Sequence, residues 1–292
     1  SLVGSEMCIR DSVYNENNID PMLGDQFLSE AYYRADDDYQ GRTTVPALID
    51  TTTGKVVNND YNWLTTYFEV NFRPWHKKGA PELYPVELRE EIDKMNLWLF
   101  DNINNAVYRS SFSRSNEGHF DGVNTFYAAM DRLEKRLETN RFLFGDYVTD
   151  SDIRLYVTLA RLDIRYTAQL GETKRPLYTY KNLWGYAKEL WEIPAFAHHT
   201  DFAAIIRQGR IEGEEDGFRA STHYDLALPK IDWDAQWKVS TERAYLSSDP
   251  THPIYLGNNR RFYIDPTWYD LGAESPKKEE KETPPSCGCC CG

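Results

Sequence analysis

Five cysteines carry the nucleophilic sulfur of this chain: Cys8 near its start, and Cys287, Cys289, Cys290 and Cys291 at its end. None lies between them, so the globular body has no thiol nucleophile and no disulfide framework, and a reducing compartment is the default. The terminal Cys-Gly-Cys-Cys-Cys-Gly suits three readings: a soft metal held by thiolates, a palmitate tether, or a structureless tail. Cysteines packed that closely cannot easily wrap one tetrahedral zinc, and no histidine stands near them. The six histidines, His198 and His199 included, show no ligand spacing with acidic or cysteine partners, so no metal site is expected in the body. Aromatic side chains are plentiful instead. Twenty tyrosines and eight tryptophans suit either stacking, phenol-lined surfaces or dense packing.

The scaffold for these groups is bounded by composition. The chain has 292 residues, 41% of them hydrophobic, and a globule of that size buries about 75% of its extended-chain surface without needing staples. A formal charge of −13 repels phosphate backbones, so nucleic acid is excluded as a partner. No stretch approaches the roughly 18–20 apolar residues needed to span a bilayer. Residues 1–12 lack the basic start and apolar centre of a secretory signal and read as a foreign leader.

A short helix is expected over residues 26–34. The run Thr44-Val45-Pro46-Ala47-Leu48-Ile49-Asp50 is β-rich, but its proline cannot donate to a ladder and marks an edge, a strand start or a special turn. Thr51-Thr52-Thr53-Gly54-Lys55 has hairpin chemistry and Val56-Val57-Asn58-Asn59 is its partner strand. A helix follows from Asp60, with Trp63, Leu64, Tyr67 and Phe68 on one face. Residues 76–85 form a linker. Helical spacing then dominates. Leu88, Ile92, Met95, Leu99, Ile103 and Val107 form one stripe; Val123, Phe126, Met130, Leu133 and Leu137 form another. Thr149-Asp150-Ser151-Asp152 predicts a capping box, with Asp152 reaching back to the cap, ahead of Ile153, Leu155, Tyr156, Leu159 and Leu162. Further helices are expected over 182–192, ended by Pro194, and over 202–207. Beyond about residue 216 periodicity fades, as in a segment lying along a surface, and 275–292 is expected to be disordered and Cys-ending.

Several of these stretches resemble one family. Tyr39-Gln40-Gly41-Arg42-Thr43-Thr44-Val45-Pro46 and Val57-Asn58-Asn59-Asp60 resemble the thioredoxin-like domain of the glutathionyl-hydroquinone reductases, the Omega-like Xi class of glutathione transferases. Leu99-Phe100-Asp101-Asn102-Ile103-Asn104-Asn105-Ala106-Val107-Tyr108, Leu133-Glu134-Lys135-Arg136-Leu137, Arg141-Phe142-Leu143-Phe144-Gly145-Asp146, Thr149-Asp150-Ser151-Asp152-Ile153-Arg154-Leu155, Arg161-Leu162-Asp163 and Asn182-Leu183-Trp184-Gly185-Tyr186 follow in that family's order. The similarity covers roughly residues 25–210.

The resemblance implies an α/β plus all-α fold: a partial thioredoxin-like domain over 13–75, then a helical glutathione-transferase domain over 86–215; the surface-lying extension read from the lost periodicity occupies 216–274. It implies glutathione as co-substrate and a hydroquinone or other small electrophile as partner, in a cytoplasmic homodimer, with an organellar address left open. Val45, before a cis Pro46, would offer its backbone to glutathione, and Asp60 and Tyr61 stand where the family has Glu-Ser for the γ-glutamyl group. An exposed capping role for Asp60 is the alternative. Tyr108 and Tyr166 would line the acceptor pocket, or serve as packing; a glycine, Gly209, falls where the family's other pocket tyrosine would be. The family takes glutathione off the hydroquinone with a cysteine in a Cys-Pro-Trp motif, which this chain lacks, so no catalytic residue is assigned and an N-terminally truncated reading is one option. A non-catalytic binding or scaffold module is the other.

Overall fold

A computed structural model describes residues 19–76, 80–167, 170–171, 175–207 and 232–247. The leader, the Cys-ending tail, Gly209 and all five cysteines lie outside these residues, as does most of the 216–274 extension.

The chain enters through α1 (Leu28–Ala35), where the Glu30 carboxylate accepts the Phe27 N–H at 2.8 Å and closes the first turn. Strands β1 (Leu48–Asp50) and β2 (Lys55–Asn58) pair antiparallel, with an irregularity between Leu48 and Ile49. The Pro46 run thus contributes only its last residues to the ladder, as a missing N–H dictates. Gly54, at φ +68°, closes the hairpin in a conformation that an L side chain resists. Arg34 ties the hairpin to α1, donating to the Gly54 carbonyl and pairing with Asp25.

Helix α2 (Leu64–Val70) begins at Leu64, not at Asp60. Its buried residues are Leu64 and Thr66, and Phe68 is exposed. Two turns of helix are too short for an apolar stripe to fix the phase, and Phe68 instead meets Phe72, itself in contact with Trp75. The residues after it are no loose linker at their C-terminal end. Tyr84 is buried and donates to Asp93 at 2.7 Å, and the Leu83 carbonyl accepts from the Asp150 N–H.

The helical part follows the expected stripes. Leu88, Ile92, Met95, Leu99, Ile103 and Val107 are all at 0% exposure. They run through α3 (Arg89–Leu99), a wide π turn (Phe100–Asn104) and α4 (Ala106–Phe112). Helix α5 (Asn116–Arg136) crosses α4 closely. A Cβ on Gly122 would come within 2.7 Å of the Ser110 backbone nitrogen, so a hydrogen is the largest substituent that fits.

Helix α6 (Asp150–Arg161) starts on the predicted box: Asp152 accepts from the Thr149 N–H at 2.8 Å and the Thr149 hydroxyl at 2.9 Å. A second π turn (Leu162–Tyr166) continues it. Helix α7 (Lys181–Glu192) has no cap of its own; Glu134 of α5 accepts from the Asn182 and Leu183 N–H groups, each at 2.8 Å, supplying the negative charge its N-terminus favours. Short helices α8 (Pro194–Ala197) and α9 (Phe202–Arg207) complete the bundle.

Residues 232–247 correct the surface-lying expectation for part of 216–274. Helix α10 (Trp233–Trp237) inserts Trp237 into the core at 2% exposure, against Trp184, Tyr156 and Phe202. Arg243, also buried, donates to the carbonyls of Leu137, Asn140 and Arg141 beyond the end of α5. This stretch shows no periodicity of its own because it completes a core built by other helices.

Candidate functional site

The hairpin unit presents its backbone from a loop rather than a strand. Val45–Pro46 is cis, as the resemblance implied, and the preceding Thr44 carbonyl accepts from the Tyr32 hydroxyl at 2.6 Å. Val45 is half-buried and Pro46 exposed. Asp60 caps a turn: its carboxylate accepts the Asn62 N–H at 3.1 Å and its carbonyl accepts the Leu64 N–H at 2.9 Å. The adjacent Tyr61 turns toward the bundle, its ring 5.4 Å from that of Phe100 in the first π turn.

Arg154 of α6 holds that turn in place. Its Nη2 donates to the Asn62 carbonyl at 2.7 Å and to the Thr65 hydroxyl, while its Nε pairs with Asp150 at 2.8 Å. Asp150 is 1% exposed and also accepts from Asn96 of α3 at 2.8 Å; Asn96 in turn accepts from Ser151. Further along, Asn104 donates to the Arg154 carbonyl at 3.0 Å and to the Thr158 hydroxyl at 2.7 Å. The paired positions advance together, 96 with 150 and 104 with 158, so α3–α4 and α6 run parallel. Glu69 of α2 faces this joint with a buried, unpartnered Oε2. Burial first, and Asp150 second, push its carboxyl up to about 9, with Arg154 opposing.

One step further along the same two helices, the Tyr108 and Tyr166 hydroxyls meet at 3.1 Å with their rings edge to face. Tyr166 is buried, Tyr108 partly so, and exposed Phe112 stacks parallel to Tyr108 at 6.4 Å. Burial, then the neighbouring Tyr108, raises the Tyr166 phenol. Burial also raises the Tyr61 phenol; Arg154 opposes, and Tyr108 is the next group acting on it. Of the residues picked out in the sequence, Tyr61 packs against Phe100, and Tyr108 and Tyr166 form an aromatic pair. Val45 and Pro46 make no hydrogen bond or ring contact with any of them among the described residues.

Sequence reasoning missed Arg154, Asn96, Asn104 and Phe100. Arg154 stands two residues past the capping box, where the local pattern marks only a helix start. The signal available was Asn96, an amide set beside the apolar stripe and buried with it, since a buried amide requires partners. Among the described residues no helix is long and apolar enough to cross a membrane.

Residues 106–189 match the family described as Glutathione S-transferase, C-terminal domain. Glutathionyl-hydroquinone reductase YqjG of Escherichia coli is 33% identical over 186 residues, covering 64% of this chain and 56% of that protein. Its glutathione-bound structure superposes with a TM-score of 0.60 at 33% identity, over 65% of this chain and 61% of that one. A glutathione transferase from Gordonia bronchialis gives a TM-score of 0.70 at 32% identity, over 80% of this chain and 71% of its own. Glutathione transferase Xi 1 from Trametes versicolor gives 0.61 at 34% identity, over 67% and 68%.

The chain belongs to the glutathione transferase family, in its Xi class. The fold read from the sequence, a partial thioredoxin-like unit followed by a glutathione-transferase helical bundle, agrees with these neighbours. The chain spans little more than half the length of its E. coli relative.

Proposed function

We propose that this chain serves glutathione-dependent thiol transfer of the glutathionyl-hydroquinone reductase kind, its described residues holding the acceptor and one end of glutathione. The observation that carries the reading is the Tyr108–Tyr166 hydroxyl contact. With one hydroxyl hydrogen used in their mutual bond, the pair keeps one phenol O–H that can donate to a hydroquinone oxygen and orient its ring. The overall exchange is glutathionyl-hydroquinone plus glutathione giving hydroquinone plus glutathione disulfide, by way of a mixed disulfide on a Cys-Pro-Trp cysteine thiol that this chain does not carry. In this reading the cis Val45–Pro46 backbone takes the cysteinyl part of glutathione, and Asp60 with Tyr61 stands at its γ-glutamyl end. The reading includes a cytoplasmic setting and a homodimer; solution mass by light scattering tests the latter.

A second reading, a non-catalytic binding module, is favoured by one observation: the Tyr61 ring rests on Phe100 while the Asp60 carboxylate is engaged by the Asn62 N–H. None of the cysteines is followed by Pro-Trp. The test is incubation of the purified chain with a glutathionyl-naphthohydroquinone and glutathione, following free hydroquinone and glutathione disulfide by chromatography. Turnover above a protein-free control, lowered by Tyr108→Phe, supports transfer. Binding of the aromatic without turnover supports the second reading. Absence of both ends the two together.

A further inference from the structure

On α6, Arg154, Thr158 and Arg161 are spaced i, i+4, i+7 and so share a face. That face meets the first π turn, because Asn104 bonds both the Arg154 carbonyl and the Thr158 hydroxyl. Tyr108 and Tyr166 join at the next level, and Arg161 lies between Thr158 and Tyr166 along the chain. The two arginines differ in what they do. Arg154 is fully engaged by Asp150, Asn62 and Thr65. Arg161 is partly exposed, and the hydrogen bond its guanidinium makes is to the Val157 carbonyl of its own helix, at 2.7 Å. No ion pair engages it among the described residues.

We propose that Arg161 gives the tyrosine pair an anion-binding rim, so that the aromatic acceptor taken here carries a carboxylate or similar fixed negative charge on its ring. The inference rests on the pocket of the proposed function and names the class of molecule that enters it. The local charges agree. Arg161 acts on Tyr61, Tyr156 and Tyr166, Arg165 adds to it at Tyr166, and no carboxylate is among the main influences on these three phenols. In a chain with a formal charge of −13, a positive spot beside this aromatic pair singles out where an anion can approach. A guanidinium free of carboxylates also has the fork that a carboxylate accepts in two bonds.

The test uses the whole chain with 6-hydroxy-2-naphthoate and the uncharged 6-hydroxy-2-naphthamide, measured by isothermal titration at pH 7.5 and low salt. The carboxylate is expected to bind about tenfold more tightly, as one partly exposed charge-assisted contact provides. Arg161→Gln is expected to bring the two affinities together by weakening the carboxylate alone, and Arg161→Lys to keep part of the preference. Equal binding of the two compounds by the unaltered chain overturns the anion rim while leaving the pocket. An equal loss for both in Arg161→Gln makes the arginine structural and also overturns it. A loss of glutathione affinity in that variant, with the naphthoate unchanged, assigns the cation to the peptide instead. If neither aromatic binds, the rim and the pocket of the proposed function fall together.

Discussion

Arg154 Nη2 lies 2.7 Å from the carbonyl oxygen of Asn62, a bond across 92 positions of sequence. Through it the helical bundle sets the position of the turn that carries Asp60 and Tyr61. The same guanidinium neutralises Asp150, so one side chain both docks the hairpin unit and compensates a buried charge.

Arg154→Ala is therefore expected to cost about 3–5 kcal/mol, since it strands a buried carboxylate. Amide exchange over residues 58–66 should accelerate more than in α5. Arg154→Lys keeps the charge but loses the fork and should recover only part of the stability. Chemical denaturation with exchange mass spectrometry checks both, and uniform acceleration across the bundle would contradict the docking role.

Asp152 accepts four hydrogen bonds, from the Leu143 N–H, the Thr149 N–H and hydroxyl, and the Tyr186 hydroxyl, at 2.7 to 2.9 Å. It is fully buried. Asp152→Ala leaves those donors without a partner and is expected to cost about 3–4 kcal/mol. Asp152→Asn, which can accept at one oxygen only, should fall between. Thermal melts of the two variants decide it; equal melting temperatures for parent and alanine variant would refute the assignment.

Trp237 anchors residues 232–247 in the core. Trp237→Ala should cost about 3–5 kcal/mol and Trp237→Phe distinctly less. Protease cleavage within residues 232–247 should become faster in the alanine variant, read by gel and mass spectrometry. A variant as resistant as the parent would show that Arg243 alone secures the strap.

Glu69 makes stability depend on pH with a definite sign. Its folded carboxyl is pushed up to about 9 from an ordinary 4.5, amid Asp150, Arg154, Glu82 and Arg73. The folded chain thus keeps a proton that the unfolded chain releases near 4.5, so this group's contribution is fully present below about 4.5 and is lost as the pH rises toward 9. Glu69→Gln should match the parent at pH 4 and exceed it at pH 8 by ~1–3 kcal/mol. Urea titrations at the two pH values measure the difference, and a constant gap would rule out the titration.

The bundle was legible because its helices are long and amphipathic: each stripe from Leu88 to Val107 and from Val123 to Leu137 repeats often enough to fix a phase. The start of α6 was legible because a capping box is written in adjacent residues. Contacts between distant residues were not. Nothing local says that Glu134 caps α7, that Arg154 reaches Asn62, or that Trp237 fills a gap among Tyr156, Trp184 and Phe202. The face of α2 was misjudged for a related reason, since a helix of two turns takes its orientation from what it packs against. Tyr108 and Tyr166 are singled out by resemblance, but their hydroxyl contact, and that of the Tyr61 ring with Phe100, appear only in three dimensions.

Both tyrosines that meet are preceded, or carried, by a wide turn: the Asn105 N–H reaches back to Phe100 before Tyr108, and the Thr167 N–H to Leu162 around Tyr166. Such a turn holds one residue more than an ordinary one and rotates everything after it by about 100°. Each helix therefore stores an angular offset upstream of its phenol. Removing a single codon within 100–104 would reset that offset and swing Tyr108 off its partner, while the preceding stripe through Leu99 kept its grip on the core. A one-residue deletion there would thus change what Tyr108 faces without altering the phenol itself.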